Sequence, residues 1–263
     1  MNGDTGMDLS IVIVSFNARA DLERCLHALH EAPPAHTHEI VVVDNASADG
    51  SAKAVLQWPD VRVIETGENL GFARGANIGI RASRGTRVLL LNSDTVVPQG
   101  AIDRLIDELD RHTDVAVVGP RLVDAAGRAE LSFGRMVGPL NEFRQKHATG
   151  IERATTEEHF PDWVSGACLL VRRPDAEAVG LLDERYFMYL EDVDFCAAIR
   201  ARGRRVMFTP SVQIVHLRGQ SVKSAAASTA RAYRRSQLAF YAKHHPAWLP
   251  LLRLYHRVRG ADT

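Results

Sequence analysis

The N-terminal half of the chain alternates two hydrophobic rhythms. Residues 9–16 (Leu-Ser-Ile-Val-Ile-Val-Ser-Phe) form a nearly unbroken apolar run, as expected of a strand buried on both faces. Between residues 18 and 31, Leu22, Cys25, Leu26 and Leu29 recur at i, i+3, i+4 and i+7, which is helical spacing. Further apolar runs predict strands at 39–44, 61–64, 87–91 and 115–118. Helical patterns cover 72–83 and 101–111, the second with Ile102, Leu105, Ile106 and Leu109 on one face. This alternation predicts a mostly parallel sheet covered on both sides, with ligands at the carboxyl ends of its strands.

Beyond residue 120 the pattern loosens. Residues 121–131 read as a hairpin around Ala126-Gly127, 164–172 as one strand, and 191–202 as a helix ended by Gly203. Residues 205–208 and 212–216 read as two short strands, and 225–245 as a helix stopping before Pro246. Residues 134–162 mix charge, glycine and histidine without a period and read as a long functional or mobile loop. The division is a flexible start (1–8), an α/β half (9–120), a second half of the same domain (121–224) and a basic C-terminal helical segment (225–263).

Composition narrows the function. Lys plus Arg and Asp plus Glu both number 32 in 263 residues, and this balance argues against a nucleic-acid binder. No apolar run reaches membrane-spanning length, and residues 1–8 lack the basic onset and apolar core of a signal peptide. Cys25, Cys168 and Cys196 are odd in number and never C-x-x-C, so neither a zinc ribbon nor a disulfide framework is expected. A reducing, cytoplasmic setting fits.

Candidate chemistry gathers at strand ends. The first strand ends at Ser15-Phe-Asn17, the second at Asp44-Asn45 and the fourth at Asn92-Ser-Asp94. Asn17, Asn45, Ser47 and Asp49 are all good helix caps, which is the ordinary explanation for any one of them. Three polar ends along one sheet edge point to a polar ligand as well. Asn92 and Asp94, two apart on an extended chain, point the same way and can face one cation or one sugar, or simply form a turn. Glu191-Asp-Val-Asp194 opens a helix, where the dipole favours acids by about 0.3–1 kcal/mol each. Three acids in four residues repel one another, so stability alone explains them poorly. Asp192 and Asp194 diverge by about 200° on a helix and should serve different tasks. His216 ends an apolar strand and becomes a ligand candidate only beside Asp94. Residues 65–77 form a glycine-punctuated loop entering a helix, suited to close approach of phosphate. It is neither a Walker A loop nor G-x-G-x-x-G, which disfavours ATP and nicotinamide.

Taken in order, Ile13-Val-Ser-Phe-Asn17, Val42-Val-Asp-Asn-Ala-Ser-Ala-Asp-Gly-Ser51, Asn69-Leu-Gly-Phe-Ala-Arg-Gly-Ala-Asn77, Leu91-Asn-Ser-Asp94, Val164-Ser-Gly-Ala-Cys-Leu169, Phe187-Met-Tyr-Leu-Glu-Asp-Val-Asp194 and His216 resemble glycosyltransferase family 2. That family comprises inverting enzymes of the GT-A fold, and the rhamnosyltransferase-like branch is the most similar. The resemblance runs from about residue 9 to 243. It implies a GT-A fold, a Rossmann-like mostly parallel central sheet flanked by helices with a smaller acceptor-side region. It also implies a nucleoside-diphosphate sugar donor, with deoxythymidine diphosphate-rhamnose favoured, and a hydroxyl acceptor on a glycan or lipid carrier. By resemblance Ser15, Asn17, Asp44, Asn69, Arg74, Asn77, Asn92 and Ser93 lie along the nucleotide sugar, and Asp44 reads the base. Asp94, the last acid of the D-x-D position, and His216 bind a divalent metal, Mn²⁺ or Mg²⁺. Asn92 departs from the strict D-x-D. Asp192 is the catalytic base, and Trp163, Ser165, Gly166 and Glu191 line the donor–acceptor junction.

From Arg231 to Arg259 there are seven Lys or Arg and no acid, interleaved with Leu238, Tyr241, Trp248, Leu249, Leu251, Leu252, Leu254 and Tyr255. Such a segment lies on the inner face of an anionic membrane, packs on the catalytic domain or forms a homodimer interface. Two other functions compete. A sugar nucleotidyltransferase would open with a Gly-rich loop and basic residues where Ser15-Phe-Asn-Ala18 stands. A non-catalytic nucleotide-sugar-binding protein would have little use for Asp94, Asp192 and His216.

Overall fold

A computed structural model describes residues 6–138, 155–217 and 226–258. The expected strands form as β1 (Leu9–Ser15), β2 (His38–Asp44), β3 (Val61–Glu65) and β4 (Arg87–Asn92) with shifts of one residue, and as β6 (Val115–Val123), which runs five residues past the expected 115–118. Helices α1 (Arg19–Glu31), α3 (Gly71–Ala82) and α4 (Ala101–Arg111) connect them, with short α2 (Ser51–Val55) and β5 (Thr95–Val96) between. The second half contributes β7 (Phe133–Gly134), β8 (Trp163–Val164), β9 (Cys168–Arg172), α5 (Arg173–Ala178), α6 (Glu191–Ala201) and β10 (Arg205–His216). Helices α7 (Ala226–His244) and α8 (Leu249–Val258), joined by a 3₁₀ turn at Pro246–Trp248, close the described chain.

Eight strands pair in the order β3-β2-β1-β4-β9-β6-β10-β5. Strands β1, β2, β3, β4, β6 and β10 share one direction, while β9 and β5 run against it. The two faces bury separate apolar layers. One packs Leu22, Leu26 and Leu29 of α1 and Leu105 and Leu109 of α4 on the sheet. The other packs Ala76 and Ile80 of α3 and Phe195 and Ile199 of α6. The expected stripes on α1 and α4 are thus the faces that meet the sheet.

Two expectations are corrected. Residues 164–172 are not one strand, because the chain turns at Ser165–Cys168, where the Cys168 amide donates to the Ser165 carbonyl at 3.4 Å. Val164 pairs with Phe133 in a separate two-stranded ribbon, and only Cys168 onward joins the main sheet. Residues 205–216 are one strand, not two, with a register shift between Thr209 and Gln213 that accommodates Pro210. The expected hairpin around Ala126-Gly127 does form at the end of β6, with an antiparallel Val123–Ala129 bridge and the Glu130 amide donating to the Leu122 carbonyl at 2.9 Å. The 134–162 loop and the flexible start fall largely outside the described residues, as do 225 and 259–263.

Helix α3 approaches the sheet where it lacks side chains. A Cβ on Gly79 would overlap the Val12 side chain of β1. Gly71 opens α3 at φ +80°, and a Cβ there would overlap the carbonyl oxygen of Phe187, which accepts the Phe72 amide at 2.7 Å. Gly71→Ala is expected to lower stability by about 2–4 kcal/mol, from left-handed strain plus overpacking against backbone. A urea titration at unchanged slope measures it, and a loss under about 0.5 kcal/mol would contradict this packing.

Candidate active site

Parallel topology brings the ends of β1, β2, β4 and β10 to one edge. At the β1–β2 end, Ser15 and Asp44 are buried and in register. Asp44 Oδ2 accepts the Ser47 amide at 2.9 Å, which shapes the loop after β2. Ser15 Oγ, Asp44 Oδ1 and Asn45 Oδ1 are buried with no hydrogen-bond partner among the described residues. Three orphaned polar atoms together are costly unless a ligand satisfies them. Asn17 and Ala46 hold left-handed backbone at φ 48° and 62° on the same rim. Such strain in non-glycine residues is typical of ligand-shaping turns.

Asn17 ties loops together. Its amide donates to Ser47 Oγ at 2.9 Å and its Oδ1 accepts the Ala48 amide at 2.8 Å. Asp49 caps across the gap, accepting the Arg19 amide of α1 at 2.8 Å and the Ser51 amide of α2 at 3.0 Å. The capping explanation therefore holds for Asp49, though it caps a neighbouring helix as well as its own.

Asp94 and His216 meet across a sequence gap. Strand β5 pairs with the end of β10, Thr95 opposite His216, and the Leu217 amide donates to the Asp94 carbonyl at 2.9 Å. His216 Nε2 lies 3.2 Å from Asp94 Oδ1 and 3.5 Å from Asn92 Nδ2. On the other side of the ring, Nδ1 lies 2.9 Å from Oε2 of Glu130. All three groups are largely buried. Burial pushes the imidazole pKa down, but hydrogen bonds and charge from Asp94 and Glu130 outweigh it and hold His216 above its ordinary value. Protonated at both nitrogens, His216 bridges the two carboxylates. Neutral and held by Glu130 at Nδ1, it would offer Nε2 together with Asp94 to a divalent cation, and this donor set fits Mn²⁺ or Mg²⁺. Sequence reasoning missed Glu130, which follows an irregular turn with no motif around it.

Another group, Glu108, His112 and Glu158, brings ligand atoms within 4.8 Å of one another. Glu108 of α4 and His112 just after it precede the start of β6, at the opposite edge of the sheet, and Ser211 and Arg111 already engage Glu108.

Asp192 sits in the first turn of α6. Its Oδ2 accepts the Gly166 amide at 2.9 Å and its Oδ1 the Val193 amide at 2.8 Å. One residue past Gly166, the Ala167 carbonyl accepts the Asn92 amide at 2.9 Å. A short hydrogen-bonded path thus links Asp192 to the Asn92–Asp94 turn. Burial raises the Asp192 pKa, against the pull of the Gly166 and Val193 amides. Burial and the Asp192 charge push its neighbour Glu191 well above the ordinary range, and Glu191 Oε2 has no partner among the described residues. Tyr189 and Leu190, immediately before α6, both adopt left-handed backbone at φ 72° and 68°. Two adjacent non-glycine residues in that region impose strain at the point where the acids are aimed.

Asp194 takes a different direction, as its helical angle requires. It is 3 % exposed and accepts from Lys243 Nζ at 2.8 Å, His244 Nε2 at 2.6 Å and Tyr186 Oη at 3.2 Å. It anchors α7 to α6 and does not face the strand ends.

The remaining expected residues divide. Ser93 lies half-buried in the turn between β4 and β5. Ser165 and Gly166 form the turn against Asp192, and Trp163 donates from Nε1 to the Arg135 carbonyl at 2.9 Å. Asn69 accepts the Gly71 amide at 3.0 Å, which caps the entry to α3. Arg74 is exposed and pairs with Glu184 at 3.3 Å. Asn77 is fully buried; its amide nitrogen donates to the Leu182 carbonyl at 2.8 Å and Glu184 at 3.0 Å, and its oxygen accepts the Leu182 amide at 3.1 Å. Its polar atoms are used in bracing the 182–184 segment.

The sheet order is that of a GT-A glycosyltransferase, with the polar cluster at its carboxyl edge. The chain belongs to glycosyl transferase family 2, whose model matches residues 10–178. An N-acetylglucosaminyl-diphospho-decaprenol L-rhamnosyltransferase of Mycobacterium tuberculosis is 32 % identical over 91 % of this chain and 86 % of its own length. The rhamnosyltransferase WbbL of Escherichia coli is 30 % identical over 89 % of this chain and 92 % of its own. Among solved structures, a mannosyltransferase of Pyrobaculum calidifontis, in complex with GDP-mannose and Mn²⁺, superposes with a TM-score of 0.64. It covers 95 % of this chain and 71 % of its own at 19 % identity. The chain is thus a rhamnosyltransferase-like enzyme of this family.

Proposed function

We propose that this enzyme transfers L-rhamnose from deoxythymidine diphosphate-rhamnose to a sugar hydroxyl on a lipid-linked glycan, with inversion and metal assistance. The carrying observation is the path from Asp192 through Gly166 and Ala167 to Asn92, which joins the acid on α6 to the Asp94–His216 pair. The names of the two rhamnosyltransferase relatives support the donor sugar, and that of the first supports a polyprenyl diphosphate carrier.

The chemistry follows from charge placement. The orphaned oxygens of Ser15, Asp44 and Asn45 would take the donor groups of the base and ribose. Asp94 and His216 would hold a divalent cation beside the diphosphate. That ion supplies Lewis-acid stabilisation of the leaving group. Asp192, on the acceptor side, removes the hydroxyl proton as the acceptor oxygen bonds to the anomeric carbon and the carbon–diphosphate bond breaks on the opposite face. Its raised pKa suits the role, since a base works best when its pKa nears the working pH. Glu191, buried beside it, is held toward the neutral acid and spares Asp192 a second negative neighbour.

The test is transfer by the purified enzyme from deoxythymidine, uridine and guanosine diphosphate sugars, with Mn²⁺ and a GlcNAc-diphospho-lipid acceptor. The expected result is a new glycosidic bond of inverted configuration, with the deoxythymidine donor preferred. Donor binding with neither transfer nor slow donor hydrolysis would instead assign a binding protein. Pyrophosphate release from a nucleoside triphosphate and a sugar phosphate would assign a nucleotidyltransferase.

A further inference from the structure

The two C-terminal helices have an inner and an outer face. On the inner face, Phe240 and Tyr241 of α7 pack against Tyr186, Leu190 and Val193, and Leu249 and Leu252 lie on the same cluster. Ser236 Oγ donates to the Met188 carbonyl at 2.7 Å, and His245 Nε2 lies 2.9 Å from the Val137 carbonyl. Within the pair, His256 Nε2 lies 3.0 Å from Gln237 Oε1, so α8 is seated on α7 by Leu252 and His256, four residues apart.

The outer face is unlike that of an ordinary surface helix. Leu251, Leu254, Tyr255 and Val258 stand at i, i+3, i+4 and i+7 of α8 and are 43–79 % exposed. They span an arc of about 100°, as wide as the apolar stripe by which helices usually meet a core. Trp248 extends the arc from the preceding turn and is also exposed. Arg253 and Arg257 lie beyond the edge of this arc away from Leu252 and His256. Residues 226–258 carry six Lys or Arg and no acid, whereas the rest of the chain has six more acids than bases.

We propose that this outer face of α8 docks on an anionic lipid bilayer, the helix lying in the interface with its apolar arc in the acyl boundary and its arginines among the headgroups. Charge selects this occupant. A second copy of the chain, packed through the same patch, would bring two sets of arginines together with no acid on either side. The docking stands on the surface itself; that it serves a lipid-borne acceptor rests on the function proposed above. Through Ser236, Lys243 and His244, α7 joins this face to Met188 and Asp194, on either side of Asp192. A docked enzyme would present its base-bearing segment at a fixed bearing to the bilayer.

The test is co-sedimentation at low salt with vesicles of phosphatidylglycerol and phosphatidylethanolamine, and separately of phosphatidylcholine. Wild type is expected to sediment with the anionic vesicles and much less with the zwitterionic ones. Leu251→Glu with Leu254→Glu is expected to lower the bound fraction at least about tenfold. Arg253→Gln with Arg257→Gln should weaken binding to the anionic vesicles alone. Both pairs should keep donor hydrolysis and transfer to a detergent-dispersed acceptor near wild type, so docking and chemistry fail separately. Wild type remaining in the supernatant, or sedimentation indifferent to the leucine substitutions, overturns the proposal. So does a solution dimer that those substitutions split into monomers without any vesicle binding.

Discussion

Asp192→Asn is expected to lower glycosyl transfer by about 10²–10⁴-fold while leaving nucleotide-sugar affinity within about twofold. Asparagine keeps the size of the side chain, and its amide oxygen can still accept from Gly166, so the 2.9 Å link and the turn it holds should survive. The proton-accepting capacity is lost, and with it the acceptor for the Val193 amide, because an NH2 takes the place of Oδ1. Burial sets the accompanying pH signature. Because the Asp192 pKa is raised, the group is protonated and idle in acid and becomes the reactive carboxylate as pH climbs through that raised value. Wild-type kcat/KM should therefore show an acidic limb with a midpoint above that of an ordinary aspartate, and the variant's residual rate should lack it. Product formation across pH, with donor affinity measured in parallel, checks both. Near-normal transfer by the variant would move the base elsewhere.

Asp94→Ala should be nearly as damaging by another route. With the carboxylate gone, Asn92 and His216 remain, and no carboxylate faces Nε2 of the imidazole at 3.2 Å. A loss of order 10³-fold in turnover is expected, equivalent to about 4 kcal/mol of leaving-group stabilisation. Wild type treated with a chelator should fall silent and recover with Mn²⁺, whereas added Mn²⁺ should not rescue the variant. Full activity of chelated wild type would remove the metal role of Asp94 and His216. Loss of fold is separated by thermal unfolding, which should shift little because the site lies at the sheet edge and not in either apolar layer.

The regular half of the fold was legible because each element obeyed one period. Near-continuous apolar strands and i, i+3, i+4 helices leave little choice, and β1 to β4 and β6 formed where the pattern put them. Short elements escaped. Strand β5 has two residues and exists only because β10 offers its end to Thr95, a partner more than a hundred positions away. Helix α5 starts at Arg173-Pro174 and α8 at Leu249-Pro250, where proline at the first turn suits a helix yet reads locally as a stop. The break at 165–167 was hidden because Val164 and Leu169 look like one apolar run, although Gly166 marks the turn that meets Asp192.

The site was legible in parts. Ser15, Asp44, Asn92 and Asp94 announced themselves as polar ends of buried strands, and helical geometry separated Asp192 from Asp194. The meeting of Asp94 with His216 came only through family resemblance, since no local pattern encodes a contact across 122 positions. Glu130 and the bracing role of Asn77 carried no signal, because both depend on segments whose neighbours are set by the tertiary fold.

The ion pairs of Asp194 have a consequence for its neighbour. A helix has no intrinsic reason to stop turning at one azimuth, and a slip of one residue would swing every side chain of α6 by about 100°. Lys243 and His244 act as a key in a lock that fixes its phase, so the acid two places upstream inherits its aim from a latch it never touches.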